Sequence, residues 1–495
     1  MSARRAARSV SATSSPRGTA RERSAPIRFG TSGWRGCLGE EVTFPRLRTL
    51  ARAVAAWLAE EDGGRRVLIG FDARFASRAM AEMAAAILEE AGLLPTLSDA
   101  VCPTPAVTHA LAHGRFAAGL VLTASHNPPA DHGLKVFDRS GAPIGERAAR
   151  RIETIAARLP NDRPAPLPLR RRRTIDLAEA YRSALAARLD RSALARAGLT
   201  LYCDAMHGAA AGYLDRLMSE LGVTVETLRA QPDPSFGGEA PDPIPERLEA
   251  LKACLATRPA GAAGLAFGLA HDGDGDRVAI VDGRGRLLSE TQSLALLVDH
   301  LAATKRLTRG VAIGAATGTL VERVARSHGL PVARHPIGFK HLAAALVAGR
   351  ADVAGDESGG FAWAPMGPDK DGILAGALLA ERVAQSRVPL EDQLDRLEAR
   401  LGRSACGRIA LASSPALVAS LERLRLRPPA RIDRSRVVGV ETLGGVRFAL
   451  EDGGFLMLRA SGTEPLVRVY AEAADVGQLA RRLSHGVRLA RRAGR

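Results

Sequence analysis

The feature that most constrains this chain is an alternation of short apolar runs with amphipathic ones, repeated three times. Arg66–Phe71 reads as a buried strand, Arg78–Ala91 as a helix and Ala117–Leu122 as a second buried strand. Leu199–Cys203, Val223–Leu228 and Leu265–Leu269 read as strands around a helix predicted over Ala209–Leu221. Val311–Ile313 and Ala351–Ala354 flank a third helix at Leu320–His328. Strands that are apolar on both faces belong inside a sheet covered by helices, so the pattern predicts three tandem α/β units with mixed sheets, diverged from one architecture. The last hundred residues differ. Arg408–Leu411, Val437–Thr442, Val446–Leu450, Phe455–Arg459 and Val467–Ala471 read as strands joined by Gly-rich turns, closed by a helix at Val476–Leu489, and predict a smaller α+β domain. The Pro/Arg-rich run Leu159–Arg173 reads as a linker and Gln231–Pro245 as a long loop. The expected division is a disordered basic tail over 1–25, then domains over 26–160, 170–283, 284–400 and 401–495.

Composition enters where it excludes partners. The net charge of +16 first points to nucleic acid, but only five of the 69 basic residues are lysine, and aromatic residues are 4%. An arginine excess spread through tails and linkers reflects codon usage rather than a binding face, and stacking platforms are absent, so no nucleic-acid partner is expected. A positive field of this kind would still steer an anionic substrate. The five cysteines are scattered with no CxxC pair, which fits a reducing cytoplasm rather than a disulfide framework. No run of 18 apolar residues occurs, so no membrane partner is expected, and the first 24 residues lack the apolar region of a secretory signal.

The chemistry sits in loops that follow strands. In Leu122-Thr123-Ala124-Ser125-His126-Asn127-Pro128-Pro129, small polar residues leave the end of a buried strand, where α/β folds bind ligands. Ser125 is a candidate nucleophile with donors beside it, although such a segment alone is equally a stiff turn. His271-Asp272-Gly273-Asp274-Gly275-Asp276-Arg277 is more specific. Three short carboxylates separated by glycine can curl onto one hard cation, Mg²⁺ or Ca²⁺, and three acids packed so closely repel one another without one. The spacing is not that of an EF-hand. Gly355-Asp356-Glu357-Ser358-Gly359-Gly360 offers acceptors for sugar hydroxyls, and Arg459-Ala460-Ser461-Gly462-Thr463-Glu464-Pro465 offers an anion nest with Arg468 close by. Phe29–Gly36, with Arg35, and Pro336–Lys340 add glycines and cations that mean little alone.

Taken in order, GTSGWRG, TASHNPP, DGDGDR, GFK, GDESGG, PDKDGIL and RASGTEP resemble the α-D-phosphohexomutase family of phosphoglucomutases and phosphomannomutases, from about Ile27 to about Ala473. The resemblance implies four domains around a central cleft. It implies a phosphorylated Ser125, with Arg35, His126, Lys135 and Arg277 around the transferring phosphoryl group. It implies Mg²⁺ on Asp272, Asp274, Asp276 and the serine phosphate, and glucose 1,6-bisphosphate as activator. Gly338 and Lys340 would set sugar orientation, and Asp356 and Ser358 would bind sugar hydroxyls. Arg459, Ser461, Gly462, Thr463 and Arg468 would hold the far phosphate. Asp356 stands where the family usually has Glu, and Gly360 replaces a His found in many members. The second change, with Trp34, favours glucose phosphates and leaves the proton-transfer role of that His to Lys135 or Arg35. The expected protein is a cytoplasmic phosphoglucomutase, monomeric or homodimeric, acting on hexose phosphates. Its nearest rival is a phosphomannomutase or dual-specificity enzyme. A bisphosphate synthase, an Asp-nucleophile phosphatase and a basic nucleic-acid-binding protein stand further off.

Overall fold

The computed structural model describes residues 26–61, 64–159, 172–257, 265–461 and 466–493. The expected tail over 1–25 and most of the expected linker lie outside the described residues. Four sheets follow one another along the chain. The first has six strands in the order Trp34–Cys37, Asp131–Asp138, Ala118–Leu122, Arg66–Phe71, Leu94–Ser98 and Arg173–Ile175. Its last four strands run parallel, and the first two are antiparallel additions. The second and third sheets have four strands each, and both carry one antiparallel edge strand on a parallel set.

One device recurs in all three. A buried parallel strand leaves the sheet, makes a tight loop and returns antiparallel beside itself. Ala118–Leu122 returns as Asp131–Asp138, Ala266–His271 as Val278–Val281, and Val353–Gly355 as Phe361–Trp363. The three enclosed loops carry Ser125, the three aspartates and Asp356–Ser358, so the motifs found separately in the sequence occupy equivalent places in three copies of one unit. Both faces of these strands are covered by helices, which explains their unbroken apolar runs. A contiguous core joins all three units, from Leu68 and Val107 through Tyr181, Leu217 and Phe267 to Leu297 and Leu378. Gly372–Ser386, a helix buried along most of its length, runs through it.

The fourth sheet is antiparallel, with six strands in the order Ala405–Ala412, Leu466–Ala473, Phe455–Ala460, Val446–Leu450, Ser435–Glu441 and Arg431–Ile432. Helices Pro415–Leu426 and Val476–Ala493 pack on one face around a separate core. This is the expected α+β domain.

The helix expected over Ala209–Leu221 is confined to Leu214–Glu220. Met206 and His207 adopt left-handed backbone (φ 48° and 57°), and Gly208 lies so close under the acidic loop that a Cβ would sit 2.8 Å from the Gly273 carbonyl. The apolar residues read as a first helical turn instead buttress that loop.

Candidate active site

Strand Ala118–Leu122 delivers Ser125 at the edge of the first sheet, fully buried and at φ +54°. A non-glycine residue in this region carries about 1–2 kcal/mol of strain and persists only where its surroundings fix it. The Ser125 N–H donates to Thr123 Oγ1 at 2.8 Å, and its Oγ donates to Asp272 Oδ2 at 2.7 Å. That bond joins the first unit to the second.

Asp272, Asp274 and Asp276 are each 0% exposed, with ligand oxygens all within 4.8 Å of one another. Gly275 turns the loop at φ +70°, and Gly273 lies where a Cβ would approach the Ser125 carbonyl to 2.6 Å. Any side chain at 273 would therefore separate the two loops. Lys135 Nζ reaches Asp274 and lies 2.5 Å from Asp276 Oδ2, which Lys370 Nζ also contacts at 2.5 Å. Thr104 Oγ1 donates to Asp274 Oδ2. Burial, then Asp276 and Asp274, push the Asp272 carboxyl up to about 8. Burial opposes ionisation of Asp274 and Asp276 as well, but Lys135 and Lys370 outweigh it and both pKa values fall. Burial likewise disfavours the Lys135 charge, and Asp274 and Asp276 more than restore it. Asp274 Oδ1 and Asp276 Oδ1 remain buried without a hydrogen-bond partner. Orphaned carboxylate oxygens at this depth, clustered on one point, fit a hard divalent cation.

Two arginines flank the serine. Arg35 donates to Asn127 Oδ1 (3.0 Å) and to the Ser32 carbonyl (3.2 Å). Its pKa is lowered by burial despite nearby Asp274. Arg277 Nε lies 3.7 Å from Asp276 Oδ1. Burial works against its charge, and Asp276 and Asp272 overcome it. Arg277, with burial, pushes His126 down to about 4, so the imidazole is neutral at pH 7, 3.5 Å from Asp242 Oδ2. Ser125, the aspartates, Arg35, His126, Lys135 and Arg277 therefore form one cluster.

The third unit joins it through a backbone bridge between Arg277 and Gly360. Asp356 Oδ1 is turned onto its own loop, accepting from Ser358 N (3.0 Å), Ser358 Oγ (2.6 Å) and Gly360 N (3.2 Å). Glu357 is the acid with a buried, unpartnered oxygen, and burial with Asp356 pushes it up to about 7. Gly338, at φ +121°, precedes helix Phe339–Val347 and sets Lys340 at the wall of a cavity of about 160 Å³. Ser32, Lys135, Asp276 and Lys370 also line that cavity. On the fourth sheet Arg459 and Arg468 are cross-strand neighbours, and Arg459 lies within electrostatic reach of Glu357. Ser461 ends the described part of this loop, and Gly462 and Thr463 lie outside the described residues.

The sequence reading did not single out Thr104, which carried no signal, or Lys370, whose motif was recognised without a role for the ammonium. Lys370 packs tightly against Gly360: a Cβ there would lie 2.5 Å from Lys370 Cδ.

Models of the phosphoglucomutase/phosphomannomutase family match the chain in series. Domain I matches residues 26–163, domain II 179–285, domain III 289–401 and the C-terminal domain 417–488. The chain is 28% identical over 468 residues to a phosphoglucomutase/phosphomannomutase of Thermococcus kodakarensis, covering 93% of this chain and 98% of that one. It is 31% identical over 462 residues to a phosphoglucosamine mutase of Rhodococcus jostii, covering 92% and 97%. A crystal structure from Thermus thermophilus, provisionally named a phosphomannomutase, superposes with a TM-score of 0.82 at 34% identity, covering 94% and 100%. With all four domain models matched in order along this fold, the chain belongs to the phosphoglucomutase/phosphomannomutase family of the α-D-phosphohexomutase superfamily and is a phosphohexomutase, an intramolecular phosphotransferase of the isomerase class.

Proposed function

We propose that the protein interconverts glucose 1-phosphate and glucose 6-phosphate through a phosphorylated Ser125. The observation that carries this reading is the buried Ser125 Oγ, 2.7 Å from Asp272, at the point where Arg35, Lys135 and Arg277 converge. Phosphoryl transfer needs positioning and charge neutralisation above all. A sugar hydroxyl attacks the serine phosphate, so that a sugar O–P bond forms as the serine O–P bond breaks. The product is glucose 1,6-bisphosphate, which also serves as activator. After the bisphosphate turns over, Ser125 Oγ takes the phosphoryl group from its other end. Neutral His126 and the Lys135 ammonium stand where a proton must be exchanged, while Arg35 and Arg277 face the phosphoryl oxygens. Asp272, Asp274, Asp276 and the serine phosphate would hold Mg²⁺, which supplies charge neutralisation when bound. Lys340, Gly338, Asp356 and Ser358 orient the sugar, and Arg459, Ser461, Gly462, Thr463 and Arg468 hold the far phosphate. This reading keeps the domain limits 26–160, 170–283, 284–400 and 401–495, a cytoplasmic location and a monomer or homodimer. Among the described residues no helix is long and apolar enough to cross a membrane.

Glucose is favoured over mannose by Gly360, whose lack of a side chain leaves room for Lys370 beside Asp276. A second reading, glucosamine phosphate, is favoured by the Rhodococcus jostii relative. Purified protein with Mg²⁺ and trace glucose 1,6-bisphosphate should convert glucose 1-phosphate faster than mannose or glucosamine 1-phosphate, and Ser125→Ala should convert none. Faster turnover of the amino sugar selects the second reading. Full turnover by Ser125→Ala refutes both.

A further inference from the structure

We infer that Arg74 is a positioning residue that locks the Ser125 loop in its reactive geometry, an inference that rests on reading Ser125 as the phosphoryl carrier. A guanidinium has five N–H donors, and all five of Arg74 are engaged. Nε donates to Asp72 Oδ2 (3.2 Å), Nη1 to the carbonyls of Pro128 (2.7 Å) and Asp131 (2.9 Å), and Nη2 to those of Ser125 (2.6 Å) and Asn127 (2.7 Å). The side chain is buried with Asp72. Asp72 Oδ1 accepts from Arg74 N (3.0 Å) and Ser77 Oγ (2.7 Å). The Phe236 ring, from the second unit, covers the guanidinium at 4.9 Å.

Four carbonyls of one loop aimed at one point repel one another unless a cation gathers them. Ser125 is the member of that set with left-handed backbone. Its carbonyl is held by Arg74, and its Oγ faces Asp272. Fixing the carbonyl therefore fixes the direction of the hydroxyl. Without Arg74 the bonds of Ser125 to Thr123 and Asp272 alone oppose the strain of positive φ, and relaxation to negative φ swings Oγ away from the aspartates. Lysine cannot substitute, because its three donors share one nitrogen and cannot span four carbonyls. All five donors are taken by protein acceptors, which leaves none for a substrate, so Arg74 acts through the Ser125 loop.

The test compares Arg74→Lys, Arg74→Ala and Ser125→Ala with the parent. It measures melting temperature, kcat and KM on the hexose 1-phosphate turned over fastest, and the rate of radiolabel transfer from glucose 1,6-bisphosphate to Ser125. Folded Arg74→Lys should lose about 100-fold in kcat, the scale of a 1 Å misplacement, with KM within about threefold and labelling slowed in parallel. Millimolar guanidinium should restore part of the kcat of Arg74→Ala and nothing to Ser125→Ala. A merely structural role lowers the melting temperature but leaves the kcat of the folded fraction and gives no rescue. Folded Arg74→Lys with kcat within about threefold of the parent, beside an inactive Ser125→Ala, overturns the inference alone. Full turnover by Ser125→Ala overturns the serine assignment and this inference with it. Should both arginine variants fail to fold, Asp72→Asn, which frees the guanidinium to shift without removing it, decides by the same kcat criterion.

Discussion

Gly360→Ala is the smallest change that probes how the missing side chain at 360 lets Lys370 reach Asp276. The new methyl would lie 2.5 Å from Lys370 Cδ and 2.7 Å from Cγ, where 3.4–4 Å is ordinary contact. The backbone at 360 is outside the left-handed region, so the methyl adds no strain of its own. Lys370 must therefore retreat by about 1 Å, and its ammonium, 2.5 Å from Asp276 Oδ2, leaves hydrogen-bond range. A charge-assisted hydrogen bond is worth about 1.5–3 kcal/mol. If it acts on the transition state, kcat/KM should fall about 10- to 150-fold. Steady-state assays of Gly360→Ala, Lys370→Ala and the double variant complete a cycle. With the Lys370 stem removed the nearest atom to the methyl is Asp356 Oδ1 at 3.1 Å, a contact a small shift relieves, so Gly360→Ala should then cost less than about threefold, a coupling of at least about 0.7 kcal/mol. Additive penalties, or Gly360→Ala within about twofold of the parent, would refute the reasoning.

Three further outcomes are expected. Asp274→Asn removes one charge from the trio and should lower turnover about 10²–10³-fold without unfolding the protein. Full activity in metal-free buffer, for parent or variant, contradicts the cation site. Glu381 accepts from His300 (2.7 Å), from both Arg306 Nη atoms (2.8 and 2.7 Å) and from Asp190 N (2.6 Å). Although burial opposes it, the His300 and Arg306 bonds lower its pKa from 4.5 to about 2, a stabilisation of about 3 kcal/mol. A depressed carboxylate contributes fully above its unfolded value and loses that contribution as pH falls through the folded one. Urea unfolding should therefore show Glu381→Gln less stable than the parent at pH 7 by about 3–5 kcal/mol, with the gap narrowing toward pH 3. An unchanged gap contradicts the assignment. Tyr181 Oη lies 2.7 Å from both oxygens of Asp371, the N-cap of helix Gly372–Ser386, so Tyr181→Phe should lower unfolding stability by about 1–3 kcal/mol.

Much of this site was legible in the sequence because catalytic loops here follow buried strands, and a run of apolar residues ending in TASHNPP or DGDGDR marks both strand and loop. The antiparallel return strands were harder. Asp131–Asp138 begins Asp-His-Gly, which hides a strand buried between two neighbours. The Ala209–Leu221 run has helical apolar spacing, yet tertiary contact with Gly273 overrides its first turn. Thr104 and Arg74 act through partners far along the chain: Thr104 through Asp274, and Arg74 through the loop at 125–131. No local pattern announces such pairs. Asp356 shows the converse limit. Its residue type suggests an acceptor for sugar hydroxyls, but no local pattern tells that its Oδ1 accepts from Ser358 and Gly360 of its own loop while Glu357 Oε2 stays buried without a hydrogen-bond partner.

The bridge between Arg277 and Gly360 has a consequence for what the cleft can measure. Gly372 N also donates to the Gly275 carbonyl (3.2 Å), and a Cβ on Gly372 would lie 2.5 Å from the Arg277 carbonyl oxygen. The acidic loop and the loop at 356–360 are thus two ends of one stiff gauge. The fourth sheet reaches the third unit partly through Glu472, which accepts from Thr319 N (2.8 Å) and Thr319 Oγ1 (3.1 Å). The separation of the acidic loop from the loop at 356–360 is therefore a fixed dimension of the site, set by backbone rather than by side chains that could yield.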